Sequence, residues 1–392
     1  MTHDDLAATS AISRWGRRSL VIAAVGGVIF VVGLFLNREQ AMRSYLFAYL
    51  YWLGMALGSL GILLLHHTVG GKWGAVIRRL IEGASRTIPY MGILALPVML
   101  SVAILYPWAQ AGAAYDANIQ AKSAYLNVPF FVARAAIYFA IWSFYAWRLS
   151  RWSADQDRAA GNIADKMRAV SAPGLLVFVF VTSFAFIDWV MSLEPHWFST
   201  IYGVMFLIGQ VLSSMAFVIA LTIILGKCAP LRDHLTPQHL HDLGNLMFAF
   251  MVLWAYLSFS QFLIIWAGNL PDENSWYLRR LRGGWGWVAI SLVIFHFATP
   301  FVLLLMRKTK RHADRLLKVC ALLIVVRLLD VYWVVEPAFH DEKLTVHWLD
   351  VVTPFAIGGV WLALFAWQLN KRPLLPLNDP RLQGAPRDTV AF

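Results

Sequence analysis

The sequence predicts an all-α polytopic membrane protein of ten transmembrane helices. Spans two to five and six to nine are expected to form two four-helix bundles, with the first and tenth helices peripheral. Ten stretches are long and apolar enough to cross a bilayer: 20–36, 45–65, 88–108, 129–147, 173–193, 201–225, 243–266, 287–306, 316–335 and 351–369. A span needs about 20 mostly apolar residues. The composition agrees, with 59% hydrophobic and only 14% charged residues and a mean hydropathy of +0.61. A soluble chain of 392 residues could not hide that much apolar side chain. The basic residues also alternate from loop to loop. Of 33 Lys and Arg, 24 fall in the N-terminal tail and every second segment after it, 7 in the loops between, and Arg134 and Arg327 inside spans. Cytoplasmic loops carry the excess of Lys and Arg, so both termini are expected in the cytoplasm.

That distribution decides how the net charge of +11 is read. It is topological, with some affinity for anionic lipid headgroups, and nucleic-acid binding is not expected. The first span follows Arg14, Arg17 and Arg18, as a signal sequence would, but no small-residue cleavage site follows Leu36. An uncleaved first helix is expected.

No linker divides the chain, so residues 1–392 form one integral membrane domain, with bundles at 45–193 and 201–335. Between spans two and three, 73–81 mixes charge with apolar residues, as does 155–170 between spans four and five; both read as helices lying on the inner surface. Pro97 interrupts the third span and Pro300 the eighth. The tail, 371–392, is rich in proline and polar residues and is expected to be extended and cytoplasmic.

Spans five and nine end alike. Asp188 stands six residues before Glu194-Pro195, and Asp330 six before Glu336-Pro337, with a tryptophan between in each. The two spans run in the same direction, which fits a parallel repeat of two four-helix units.

Charges within spans are costly and usually face the bundle interior with a partner. Arg134 on the fourth span and Asp188 on the fifth lie at similar depth and are expected to pair. Arg327 and Asp330 are three apart and share a helix face. His296 sits near the middle of the eighth span. Gln210 and Gln261 read as helix–helix hydrogen bonders. The polar residues thus gather in the external half. There they could form a pocket that holds a quinol headgroup and takes its protons, or the outer part of a proton path; or the two ion pairs only lock helices together.

Several chemistries lack their residues. Cys228 and Cys320 are the only cysteines and neither belongs to a C-x-x-C, so there is no iron–sulfur, cysteine-zinc or covalent-haem motif. His66 and His67 lie at the inner end of span two and His296 near mid-membrane, so a b-type haem lacks two matched ligands. No nucleophile-elbow sequence occurs. Trp108, Trp189, Trp266 and Trp276 fall near span ends and read as an interfacial belt, whereas Phe184, Phe186 and Tyr332 lie close enough to the polar residues to contact a quinone ring.

The run from Ala185 to Gly203, containing Asp188-Trp189, Met191-Ser192-Leu193-Glu194-Pro195-His196-Trp197-Phe198-Ser199-Thr200, resembles the signature of the ActF family. Tyr45 to Gly54, and His66-His67 through Gly74, are similar to that family's second span and following loop. ActF proteins are quinone-associated membrane subunits of bacterial alternative complex III, within the NrfD-like superfamily. The resemblance implies ten spans in the bacterial inner membrane, eight of them in two four-helix bundles. It implies partners that include an ActC-like membrane subunit and iron–sulfur and haem c subunits, with quinol or menaquinol as substrate and no redox centre in this chain. The candidate residues for quinol-linked or proton-handling work, read from the ionisable side chains in and beside the spans, are Asp188, Arg134, His296, Arg327, Asp330, Glu194 and His196. Two other functions stay open: an independent proton-coupled secondary transporter, and a structural scaffold of the complex. The transporter reading predicts matching helix breaks in the two halves, and Pro97 and Pro300 are not in repeat mates.

Overall fold

The computed structural model describes residues 3–158, 163–340, 343–376, 378–382 and 390. The chain is all-helical, with no strand among the described residues. Helices satisfy their backbone groups internally, as a lipid environment demands.

The long helices are α1 (His3–Leu36), α2 (Arg38–Val69), α8 (Val128–Arg158), α9 (Ala164–Trp189), α10 (Tyr202–Leu225), α11 (Pro237–Gly268), α16 (Ala313–Val335) and α17 (Trp348–Leu369). Shorter pieces are α3 (Arg78–Ser85), α4 (Ile88–Leu94), α5 (Leu96–Leu100), α6 (Val102–Leu105), α7 (Ala117–Ala121), α12 (Pro271–Leu281), α13 (Trp285–Leu292), α14 (Thr299–Leu305) and α15 (Arg307–Arg311). Among the described residues, eight helices are long and apolar enough to cross a membrane: Thr9–Leu36, Arg38–Val69, Val128–Arg158, Ala164–Leu193, Tyr202–Leu225, Pro237–Gly268, Trp285–Leu305 and Trp348–Leu369. Several leave large apolar side chains exposed, such as Val28, Phe180, Phe259 and Phe355, over surfaces that water would not tolerate. The chain is a multi-pass helical membrane protein.

Two expected spans differ from these eight. Segment 88–108 is broken into α4, α5 and α6, because Pro97 removes a backbone donor and Ser101 opens the next turn. Helix α16 is continuous but carries Asp314, Arg315, Lys318, Arg327 and Asp330. The other proline-bearing span is irregular too. A π-helical turn, Val293–Ala298, separates α13 from α14 just before Pro300.

Helices α2 and α10 form the centre and pack on each other. Helix α2 also packs against α9 and α17, and α10 against α9, α11 and α16. Helix α1 lies along α17, and α8 along α9. The central contact is close: a Cβ on Gly58 of α2 would stand 2.4 Å from the Gln210 backbone oxygen of α10. Ser214 of α10 donates to the Gly54 and Met55 carbonyls of α2 at 3.2 and 3.0 Å. Small residues with hydroxyl cross-links are the usual means of tight helix approach in lipid.

The expected surface helices are corrected. The segment at 73–81 is not one: the helix there begins at Arg78, and all eight residues of α3 are buried. The segment at 155–170 continues α8 to Arg158 and begins α9 at Ala164, with 159–162 outside the described residues.

Candidate functional site

Helices α8 and α9 bring Arg134 and Asp188 together near one end of the protein. Arg134 donates from Nε to Asp188 Oδ2 at 2.8 Å and from a terminal nitrogen to Oδ1 at 3.0 Å. Tyr138, one turn along α8, donates its hydroxyl to Oδ2 at 2.7 Å. The other terminal nitrogen of Arg134 donates to the Tyr125 carbonyl, and the guanidinium lies 3.8 Å from the Tyr125 ring centroid. Asp188 is fully buried. A bidentate pair with a third donor is a well-satisfied way to hold a charge in apolar surroundings.

Next to it, across the packed rings of Phe186 and Phe206 (centroids 4.3 Å apart), lies a second cluster. Arg327 donates to Asp330 on the same helix face and to the Phe206 carbonyl. Gly209 clears space for that guanidinium, because a Cβ there would sit 2.2 Å from it. His296, on the π-helical turn, is fully buried with its ring centroid 4.1 Å from that of Trp254. Its Nδ1 is 3.8 Å from Asp330 Oδ2, and neither ring nitrogen has a hydrogen-bond partner. The two clusters therefore differ in kind. Asp188 is locked by three donors, whereas His296 faces a carboxylate without bonding to it.

Glu194 and His196 separate. Glu194 is pinned by Arg280 of α12 at 2.7 Å and Arg279 at 3.2 Å. Arg280 also donates to the Val334 carbonyl and lies over the Trp276 ring, so Glu194 ties the loop after α9 to the end of α16. His196 is exposed and meets Asp116 at 2.9 Å. Gln261 accepts from Ser199 in the connecting loop at 2.7 Å, rather than from a neighbouring helix. Gln210 reaches the Leu50 carbonyl of α2 at 3.5 Å, a long contact. The interfacial belt is corrected as well. Trp108, Trp189 and Trp276 are buried within the protein, and only Trp266 of the four is exposed. Trp189, for example, packs on Phe139, Trp142 and Tyr138.

Sequence reasoning missed a third cluster at this end. Asp350, the N-terminal capping carboxylate of α17, accepts from Gln40, Ser44, Tyr332 and the His347 backbone. Beside it Glu336, just past the end of α16, is fully buried and neither carboxylate oxygen has a hydrogen-bond partner. His340 Nε2 is 3.9 Å away. Burial first, then the Asp350 charge, push the Glu336 carboxyl well above its usual range, against the pull of Arg43. The echo of Asp188–Glu194 in Asp330–Glu336 was the available signal. The two glutamates fare differently, one held by two arginines and one without a hydrogen-bond donor.

The opposite end gathers most of the basic loops and is stitched by ions. Glu82 of α3 accepts from Arg78 and Arg79, each at 2.9 Å. Arg78 also reaches Gln156 of α8 and Asp379 of the tail, at 2.8 and 3.1 Å. Arg381 bonds Asp379 and approaches His66 Nε2 at 3.2 Å. The expectation of an extended tail is therefore corrected for its described part. Leu374, Leu375 and Asp379 are buried, and Val390 donates its backbone N–H to the Leu235 carbonyl. Arg78 supplies the charge that draws the tail in. Burial alone would raise the Glu82 and Asp379 carboxyls. Arg79 and Arg78 overcome this for Glu82, and Arg381 with Arg78 for Asp379, holding each at about 2. A lowered carboxylate stabilises the fold fully above its unfolded value and loses that contribution as pH falls through the folded one. The docked tail is thus expected to hold at neutral pH and to weaken only on acidification from about pH 4 toward 2. Asp379→Asn is expected to release it at neutral pH. Faster amide hydrogen exchange across 374–382 would show this, and unchanged protection would contradict it.

No group of three or more His, Cys, Asp or Glu side chains is arranged to hold a metal ion among the described residues. No protein-family model matches this chain, and no curated protein matches it.

Proposed function

We propose that the chain is a membrane subunit of a quinol-oxidising complex of the alternative complex III type. In this reading it spans the bacterial inner membrane ten times, the eight apolar helices being joined by segment 88–108 and α16. Both termini lie on the cytoplasmic side, where the basic end meets the positive-inside expectation. Helices α2, α8 and α9 with segment 88–108 make one four-helix unit, and α10, α11, α13–α14 and α16 the other. The correspondence of the α2–α9 and α10–α16 contacts supports that pairing.

The run from Ala185 to Gly203 carries the proposal, because its residues build the buried polar end: Asp188 meets Arg134, Glu194 meets Arg280, and Ser199 meets Gln261. Oxidising a quinol releases protons and electrons. The electrons would pass to iron–sulfur and haem c centres of partner subunits, since the chain has no cysteine cluster for such a centre. The protons need acceptors near the quinol. The half-exposed Phe184, one turn from Asp188, offers an aromatic contact at the lipid-facing surface. His296 with Asp330 supplies a relay pair whose contact can close on protonation. A scaffolding role is the second reading, favoured by the complete satisfaction of Asp188.

Isolation in mild detergent tests the proposal. Co-purification with haem- and iron–sulfur-containing proteins is expected. A lone protein that moves a solute against a proton gradient would favour the transporter instead.

A further inference from the structure

A groove of about 460 Å³ opens at the basic end, between α8, the start of α4 and the end of α17. Four arginines line it, Arg86, Arg151, Arg158 and Arg372, against a single carboxylate, Asp155. Arg86, Arg151 and Arg158 form no ion pair with any described residue. Two buried polar atoms in the wall have no hydrogen-bond partner: Arg86 Nε and the hydroxyl of Ser150, a residue only 2% exposed. Burial, then the charge of Arg372, lowers Arg86 to about 10, against the opposing pull of Glu82. Tyr90 and Trp147 line the same groove, and the faces of α4 and α8 beyond it carry the exposed Ile93 and Phe144.

We propose that this groove binds the phosphate-bearing headgroup of an anionic phospholipid, its acyl chains lying along α4 and α8. The guanidiniums meet the phosphate oxygens, Ser150 and Arg86 Nε supply further donors, and the aromatic wall marks the level of the lipid interface. A free phosphate would use the cations but not the apolar flank. The site is independent of the quinol proposal, because none of its residues belongs to the polar clusters at the other end.

Native mass spectrometry of the purified full chain, with whatever proteins accompany it, tests this in mixed phosphatidylglycerol and phosphatidylcholine micelles. The wild type is expected to retain phosphatidylglycerol in preference. Arg151→Gln with Arg158→Gln, both exposed and safe for folding, is expected to lower that preference about tenfold. Arg14→Gln with Arg17→Gln removes the same charge from the same end but outside the groove, and is expected to leave the preference unchanged. Equal loss in both doubles, or equal retention of the two lipids by the wild type, would overturn the site. Stabilisation of the delipidated protein by inorganic phosphate as strong as by phosphatidylglycerol would overturn its assignment to lipid.

Discussion

Arg134→Leu is expected to destabilise the protein by about 3 kcal/mol or more, read as a lowered unfolding midpoint in detergent. The substitution leaves Asp188 fully buried with Tyr138 as its only remaining side-chain donor. Stranding one member of a buried pair costs more than the pair itself is worth, because the desolvated charge has lost its counter-ion. The reciprocal change is milder. In Asp188→Asn the amide oxygen still accepts from Arg134, whose guanidinium keeps the Tyr125 carbonyl and ring. Combining the two should recover most of what Arg134→Leu loses, since no ion is then left buried alone. A double variant no more stable than the single would mean that the pair is not energetically coupled.

Gly58→Val is expected to abolish accumulation of folded protein. A Cβ at position 58 would lie 2.2 Å from the Ser214 hydroxyl oxygen and 2.4 Å from the Gln210 carbonyl oxygen. A side chain could rotate away, but a helix carbonyl cannot, so α2 and α10 must separate. Separation would break the Ser214 hydrogen bonds and open voids along the most enclosed contact in the molecule. Gly27→Ala on α1 is the control, because nothing stands within 4 Å of its added Cβ. It should be neutral or slightly stabilising, as alanine favours helix over glycine. Normal yield of Gly58→Val in detergent-stable form would refute the close central contact.

The helices were readable because apolar runs of bilayer length have few other uses, and eight of the ten expected spans meet length and apolarity directly. The Arg134–Asp188 pair was readable from depth alone, since two opposite charges at one level in adjacent spans have little else to meet. Its third donor, Tyr138, was also within reach as the residue one turn from Arg134. Other parts were hidden for definite reasons. Asp350 draws on Gln40 and Ser44, more than 300 residues away, and no local pattern joins them. Helix α3 looks like a surface segment because half its residues are polar or charged, yet Arg78 and Arg79 are neutralised by Glu82 together with Asp379 and Asp157, which lets it bury. Tryptophans near span ends have the same hydropathy whether they face lipid or the interior, so Trp189 and Trp276 read as a belt when they are core. The docked tail rests on Asp379, whose partner Arg78 stands 301 positions earlier.

In the proposed complex a buried carboxylate of this subunit handles the protons of quinol oxidation, while partner subunits carry the electrons. Quinol-oxidation rate and proton release are to be measured on the intact complex isolated with Asp330→Asn in this subunit, which removes the carboxylate of the relay pair. An assembled complex with slowed turnover or fewer protons released per quinol is expected. Wild-type turnover and full proton release in the assembled variant would contradict it and leave the pair as a structural lock.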